Sequence, residues 1–210
     1  VFMDHFTRAS AYADGMRKWD NADARTRTTL QMPRRDLELD ALSEILESKR
    51  FITCHSYVQS EINMLLHVAD SFGFHVNTFT HILEGYKVAD KMKAHGVMGA
   101  SSFSDWWAYK MEVVEAIPYN AALLNQMGIV TAINSDDAEM GRRLNQEAGK
   151  VVKYGGVSEQ EALNMVTINP AKALHVADKV GSIKVGKDAD LVLWSDNPLS
   201  IYAKSLYTIV

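Results

Sequence analysis

The chain has 210 residues, 47% hydrophobic and 23% charged, the composition of an ordinary soluble globular fold. A net charge of −4 and a pI near 6.0 argue against a nucleic-acid or anionic-membrane partner, and no run approaches the roughly 18–20 apolar residues of a membrane span. Cys54 is the single cysteine, which excludes an intrachain disulfide; its place inside an apolar run favours a buried thiol over a metal ligand.

The sequence opens on Val1-Phe-Met-Asp, with neither an initiator methionine nor a signal-peptide pattern, and its first ten residues read as the interior of a longer fold. Apolar positions at Phe6, Ala9, Tyr12, Met16 and Trp19 predict an amphipathic helix to about Trp19. A loop follows to about residue 31. Pro33 then precedes a second helix, Asp36 to Ser48, with Asp36 as its N-cap. From residue 51 the pattern alternates. Strand 51–55, helix 59–72 stopped by Gly73, strand 74–80, helix 84–95 stopped by Gly96 and strand 97–100 come in turn. After a longer connection come helix 116–127, strand 129–134 and a helix from about 139 to 154. This order calls for a parallel sheet with right-handed crossovers. Ser158-Glu-Gln-Glu161 is a capping-box start and Asn169-Pro170 opens another short helix. The tail from Val180 to Trp194 alternates with period two between glycines, as short antiparallel strands do.

Three of the apolar runs end in metal-ligand residue types: His55, His81 and Asp136. His81 lies 26 positions after His55, and Asp136 lies 55 after His81, about twice that interval. One strand-helix unit takes about 25–30 residues, so the three belong to strands n, n+1 and n+3. The C-terminal strand ends of a closed barrel converge on one site. Two imidazoles and a carboxylate there suit a divalent metal such as zinc. Yet residues 51–156 hold only four strand-helix units, where a barrel needs eight and about 250 residues. The fold is therefore either a small open α/β sheet or a barrel lacking its first half.

The tail Val180-Gly-Ser-Ile-Lys-Val-Gly-Lys-Asp-Ala-Asp-Leu-Val-Leu-Trp194, preceded by Thr167-Ile-Asn-Pro-Ala171, resembles the closing segment of metal-dependent amidohydrolases. Cys54-His55, Thr80-His81 and Ser135-Asp136 resemble that family's positions at barrel strands five, six and eight. The similarity covers about residues 30–210 and is nearest to the imidazolonepropionase-like branch. It implies the C-terminal part of a (β/α)8 TIM-type barrel, about four βα units, plus a short piece of β-sandwich. Residues 1–50 would be a helical lead-in, 51–178 the partial barrel and 179–210 sandwich strands. The family's His-x-His pair on the first barrel strand has no counterpart here. The resemblance therefore implies the C-terminal half of a protein of roughly 400 residues or more.

Under that resemblance His55 ligates metal, and His81 either ligates it or polarises the substrate carbonyl. Asp136 ligates metal and takes a proton from the bound water, with Asp137 as the register rival. Glu84 follows His81 at a helix start, where an acid stabilises the dipole or touches substrate. Trp106, Trp107, Tyr109 and Lys110 follow strand 97–100 and form either a substrate wall or a packing surface. His75, His67, His95 and His175 read as structural or solvent residues. The implied activity is hydrolysis of a C–N bond, in an amide, lactam or related small molecule, by metal-activated water. The isolated chain is expected to be inactive. The alternative is a non-catalytic half-barrel whose open edge is covered by its missing N-terminal half or by another copy.

Overall fold

The computed structural model describes residues 1–102, 110–135 and 137–210, which divide into two compact units. The first comprises residues 1–52 and 65–76. Its leading helix α1 (Phe2–Asn21) buries Phe6, Ala9, Tyr12 and Ala13, spaced three and four apart, so one stripe carries the apolar load. The helix runs further at both ends than its apolar positions predict. The expected loop after it contains one turn of helix, α2 (Ala24–Arg27), capped by the side chain of Asp23 on the amide of Thr26. Helix α3 (Leu37–Leu46) starts at the predicted cap, where Asp36 accepts from the amides of Glu38 and Leu39. Ser43, near the end of α3, donates its hydroxyl to the carbonyls of Leu39 and, at 3.4 Å, Ala9 of α1. Phe6 stacks on Phe74 with ring centroids 4.5 Å apart and leans on Phe72 at 5.6 Å.

The second unit comprises residues 53–64 and 77–210. Strands β1 (Ile52–Ser56), β2 (Val76–His81), β3 (Met98–Ser102) and β4 (Thr131–Asn134) form one sheet in the order β1-β2-β3-β4. Both β2–β3 and β3–β4 are parallel, with Phe79 beside Gly99 and His81 beside Ser101. Helix α4 (Gln59–Phe72) connects β1 to β2, and its residues belong to both units. Helices α5 (Ala89–His95) and α6 (Asn120–Gln126) lie between later strands. Gly96 ends α5 at φ 81, a left-handed position a side chain would strain. Strand connections through helices give the parallel α/β arrangement that the chain-order pattern predicts. Phe79, Ile82, Met92 and Leu124 are essentially inaccessible to solvent. Burying side chains of this kind contributes about 1.5–3 kcal/mol each.

After β4 come α7 (Ala138–Gly141), α8 (Leu144–Gly155), α9 (Glu159–Asn164) and α10 (Ile168–Ala173). Ile133 of β4 packs with Ala121, Ala122, Val151, Val157 and Met165. Ile133 also donates its amide to the carbonyl of Met165, so the segment after α9 covers part of this sheet edge. Helix α10 lies at the N-terminal ends of the strands. Asn169 donates to the carbonyl of Thr131, and Asn77 donates to the carbonyl of Ala173. His175 bonds through Nε2 to the Oδ1 of Asn77 at 2.7 Å. Because Nδ2 of Asn77 is the donor toward Ala173, Oδ1 is the acceptor and His175 the donor.

The tail pairs over a shorter stretch than its alternation predicts. Only β5 (Leu191–Trp194) joins β6 (Ser205–Ile209), antiparallel, with a register shift at Leu193/Trp194. Residues before it are held in turns instead, because the ammonium of Lys187 donates to the carbonyls of Ala177 and Val180 and to the hydroxyl of Ser182.

Candidate active site at the strand ends

His55 and His81 stand at the C-terminal ends of adjacent strands β1 and β2, and their ring centroids are 4.0 Å apart. His55 is exposed, whereas His81 is buried, only 4% exposed. Tyr57, directly after β1, completes the group. Its ring stacks on His81 at 5.1 Å and meets His55 edge-on at 5.1 Å. Behind it, Tyr57 packs on Leu83, Val113 and Ala116, and the ammonium of Lys110 lies 3.9 Å from its ring centroid. A cation over an aromatic face is an attractive arrangement worth about 0.5–2 kcal/mol. Tyr57 gave no signal in the sequence, since a lone tyrosine after a strand carries no spacing.

The backbone that presents His81 is unusual. His81 has φ 69 and Ile82 has φ 36, a left-handed turn in two non-glycine residues, one of them β-branched. Such conformations cost about 1–3 kcal/mol each and persist only where their surroundings over-determine them. Here Ile82 donates its amide to the carbonyl of Ser56 at 2.7 Å, and Glu84 donates its own to Tyr57 at 3.1 Å. The loops after β1 and β2 are thereby laced together.

Glu84 is buried, and it stands before the 3-10 turn Gly85–Val88 with no side-chain cap bond to it. Oε2 accepts from the amide of Gln59, at the start of the preceding helix α4, and lies 3.2 Å from the ammonium of Lys87. Lys87 also pairs with Glu115. Of the proposed substrate wall, Lys110 is placed beside Tyr57 and within 3.4 Å of Glu112. Trp106, Trp107, Tyr109 and Asp136 lie outside the described residues. Asp137 caps α7, accepting from the amides of Glu139 and Met140 at 2.9 and 2.8 Å. Cys54 lies 3.5 Å from the hydroxyl of Ser56. Among the described residues no three His, Cys, Asp or Glu side chains gather as a metal set. The two imidazoles fit a divalent ion as nitrogen donors, and the third ligand of the sequence argument is Asp136.

Residues 18–208 match the Amidohydrolase family. The chain is 27% identical over 172 residues to "Amidohydrolase tasK" of Hapsidospora irregularis, a match covering 80% of this chain and 17% of that protein. Its fold is similar to the crystal structure of an amidohydrolase from Thermotoga maritima MSB8, with a TM-score of 0.84 and 25% identity over 99% of this chain and 52% of that one. An adenosine deaminase from Xanthomonas campestris, solved with bound zinc, shares the fold at a TM-score of 0.53 and 17% identity, over 87% of this chain and 46% of that one. The chain belongs to the amidohydrolase family, and its parallel sheet and helices are similar to the TIM-barrel structures of that family. It spans about half the length of the Thermotoga structure and 17% of the Hapsidospora irregularis relative.

Proposed function

We propose that this chain carries the strand-five, strand-six and strand-eight part of the active site of a metal-dependent hydrolase of C–N bonds. The observation that carries the reading is the pairing of His55 and His81, 4.0 Å between centroids, at neighbouring strand ends in a chain of this family. His55, His81 and Asp136 would hold a divalent ion, zinc first by the nitrogen and oxygen character of the set. When bound, such an ion supplies Lewis acidity and lowers the pKa of a coordinated water from 15.7 toward about 7.

In this reading Asp136 takes the proton of the attacking water and returns it to the leaving nitrogen. The engagement of Asp137 as a helix cap supports Asp136 in that role. His81 holds the ion or donates to the substrate carbonyl. This reading assigns contact with a small amide or cyclic amide substrate to Lys110, Trp106, Trp107 and Tyr109, in keeping with the imidazolonepropionase-like branch. Glu84 acts by holding the loops, its carboxylate already accepting from Gln59 and Lys87. No His-x-His occurs in these 210 residues, and on this reading a site built from them alone lacks two of the family's ligands and would not turn over substrate.

The test is an assay of the protein at full length against a panel of N-acyl amino acids, dipeptides, lactams and ureides, with and without added zinc. Hydrolysis lost on chelation and in both His55→Ala and Asp136→Asn is expected. Undiminished turnover in Asp136→Asn would remove the proton-transfer role, and undiminished turnover after complete chelation would remove the metal.

A further inference from the structure

The left-handed turn at His81 and Ile82 is gripped by a side chain 38 residues further along. Asn120, at the start of α6, is 2% exposed, and its amide is engaged on both sides. Nδ2 donates to the carbonyl of Ile82 at 2.8 Å and to the hydroxyl of Ser101 at 2.9 Å, while Oδ1 accepts from the amide of Tyr86 at 2.9 Å. The orientation of that amide follows from chemistry. A backbone N–H can only donate, so oxygen faces Tyr86; a backbone carbonyl can only accept, so nitrogen faces Ile82. The side chain of Ile82 is fixed as well. Its Cδ1 fills the space that a Cβ would need at Gly99, 2.8 Å away, and at Gly85, 3.3 Å away.

We infer that Asn120 is a positioning residue for His81: its amide locks the Ile82 carbonyl, and with it the left-handed turn that sets the imidazole against His55 and Tyr57. The inference rests on the proposed function only in treating His81 as a site residue. Asn120 bonds to Ile82, Ser101 and Tyr86 and acts on His81 through the Ile82 backbone. Ile82 is bound from both sides, by Ser56 at its amide and by both Asn120 and the amide of Gly85 at its carbonyl. Loss of the Asn120 bond leaves the carbonyl with the local Gly85 amide alone, removes the tie from the turn to α6, and frees the turn to relax toward the ordinary φ < 0 region.

Asn120→Asp separates this role from general stability. The carboxylate is isosteric, still accepts from Tyr86 and can accept from the Ser101 hydroxyl, but it presents an oxygen to the Ile82 carbonyl and repels it. Ser101→Ala is the control, since it removes one partner of Asn120 and leaves the Ile82 bond. The readout is the imidazole NMR spectrum of the 210-residue chain labelled with 15N-histidine, the His81 signals being identified by their absence in His81→Gln. In Asn120→Asp the His81 signals are expected to shift and those of His67 and His95 to stay, while Ser101→Ala leaves His81 in place. A folded Asn120→Asp with His81 unmoved, or an equal shift in Ser101→Ala, overturns the inference.

Should Asn120→Asp not fold, the unsubstituted chain decides the matter. The scalar coupling that reports φ at Ile82, and the coupling across the bond from Asn120 Nδ2 to the Ile82 carbonyl carbon, are both measurable there. A negative φ or an absent coupling across that bond refutes the lock, and positive φ with the coupling present upholds it. None of these readouts uses metal or substrate. Failure of zinc to bind, with the His81 shift observed, would sink the metal reading and leave the positioning role standing.

Discussion

The phenol of Tyr12 donates to the carboxylate of Asp40 at 2.6 Å, and each group displaces the ionisation of the other. Asp40 is lowered from its ordinary value, first by the hydrogen bond from Tyr12 and next by that from Arg35. Tyr12 is raised above the ordinary phenol value, first by its bond to Asp40 and then by burial. The signs give two windows. A lowered carboxylate contributes stability that is full above its unfolded value and is lost as pH falls through the folded one. The raised phenol contributes stability that is full below its unfolded value and is lost as pH rises through the folded one. In Tyr12→Phe the Asp40 titration, followed by carboxylate 13C NMR, is expected to move up toward the ordinary carboxylate range. An unmoved midpoint would show that the bond does not hold in solution.

The two imidazoles at the strand ends should share one ion. Calorimetric titration of zinc into the protein is expected to show binding weaker by about tenfold or more in either His55→Ala or His81→Ala, since even a residue that only supports a ligand is worth that much. Acidification should weaken it too, because protonated imidazole holds no metal. Asp136→Ala should weaken binding while Asp137→Ala leaves it unchanged, since the Asp137 carboxylate serves α7. The reverse order would transfer the ligand role to Asp137.

Removing the cap of α3 should cost stability without touching the site. Asp36 accepts from two amides, at 3.0 and 3.1 Å. Asp36→Ala is expected to lower unfolding free energy by about 1 kcal/mol, read from the urea midpoint at unchanged slope. A variant as stable as the parent would mean that these bonds merely replace equivalent ones to water.

Gly181→Ala should be more damaging than its half-buried setting implies. The residue has φ +84, and a Cβ there would stand 2.8 Å from the Cβ of Ala171 and 3.0 Å from the Cα of Ile168. Both the backbone conformation and the contact with α10 oppose it. A loss of about 1–3 kcal/mol is expected, seen as a lower thermal midpoint. No loss would mean that the turn re-forms readily around a side chain.

Much of the sheet was legible because its signals are local. Ile62, Leu65, Leu66 and Ala69 recur at helical period and Gly73 closes the run, so α4 falls where the sequence places it, Gln59–Phe72. The segment after His81 was less readable. A helix over 84–95 is a fair reading of its composition, yet α5 starts only at Ala89, after a 3-10 turn at Gly85–Val88. The amide of Tyr86 is taken by Asn120, a partner 34 residues away that no local pattern announces. Likewise the helix expected over 116–127 begins at Asn120, after Pro118, and the one over 139–154 is broken between α7 and α8. At the site, histidine spacing revealed the pair. The turn that aims one of them depends on an amide from another element, which periodicity does not record.

The floor of the sheet has a bearing on how the chain is made. The bond from Asn77 to the Ala173 carbonyl spans 96 residues, and that from Asn169 to Thr131 spans 38. During vectorial synthesis β2 leaves the ribosome with its second residue lacking this partner, and it waits for nearly all the rest of the sheet before α10 arrives. Contacts so distant in sequence incur their loop-closure entropy before any enthalpy is returned, which makes them late and slow. A ribosome stalled before α10 therefore holds strands whose lower ends are open, a species for chaperones to shield until α10 itself emerges and seals it.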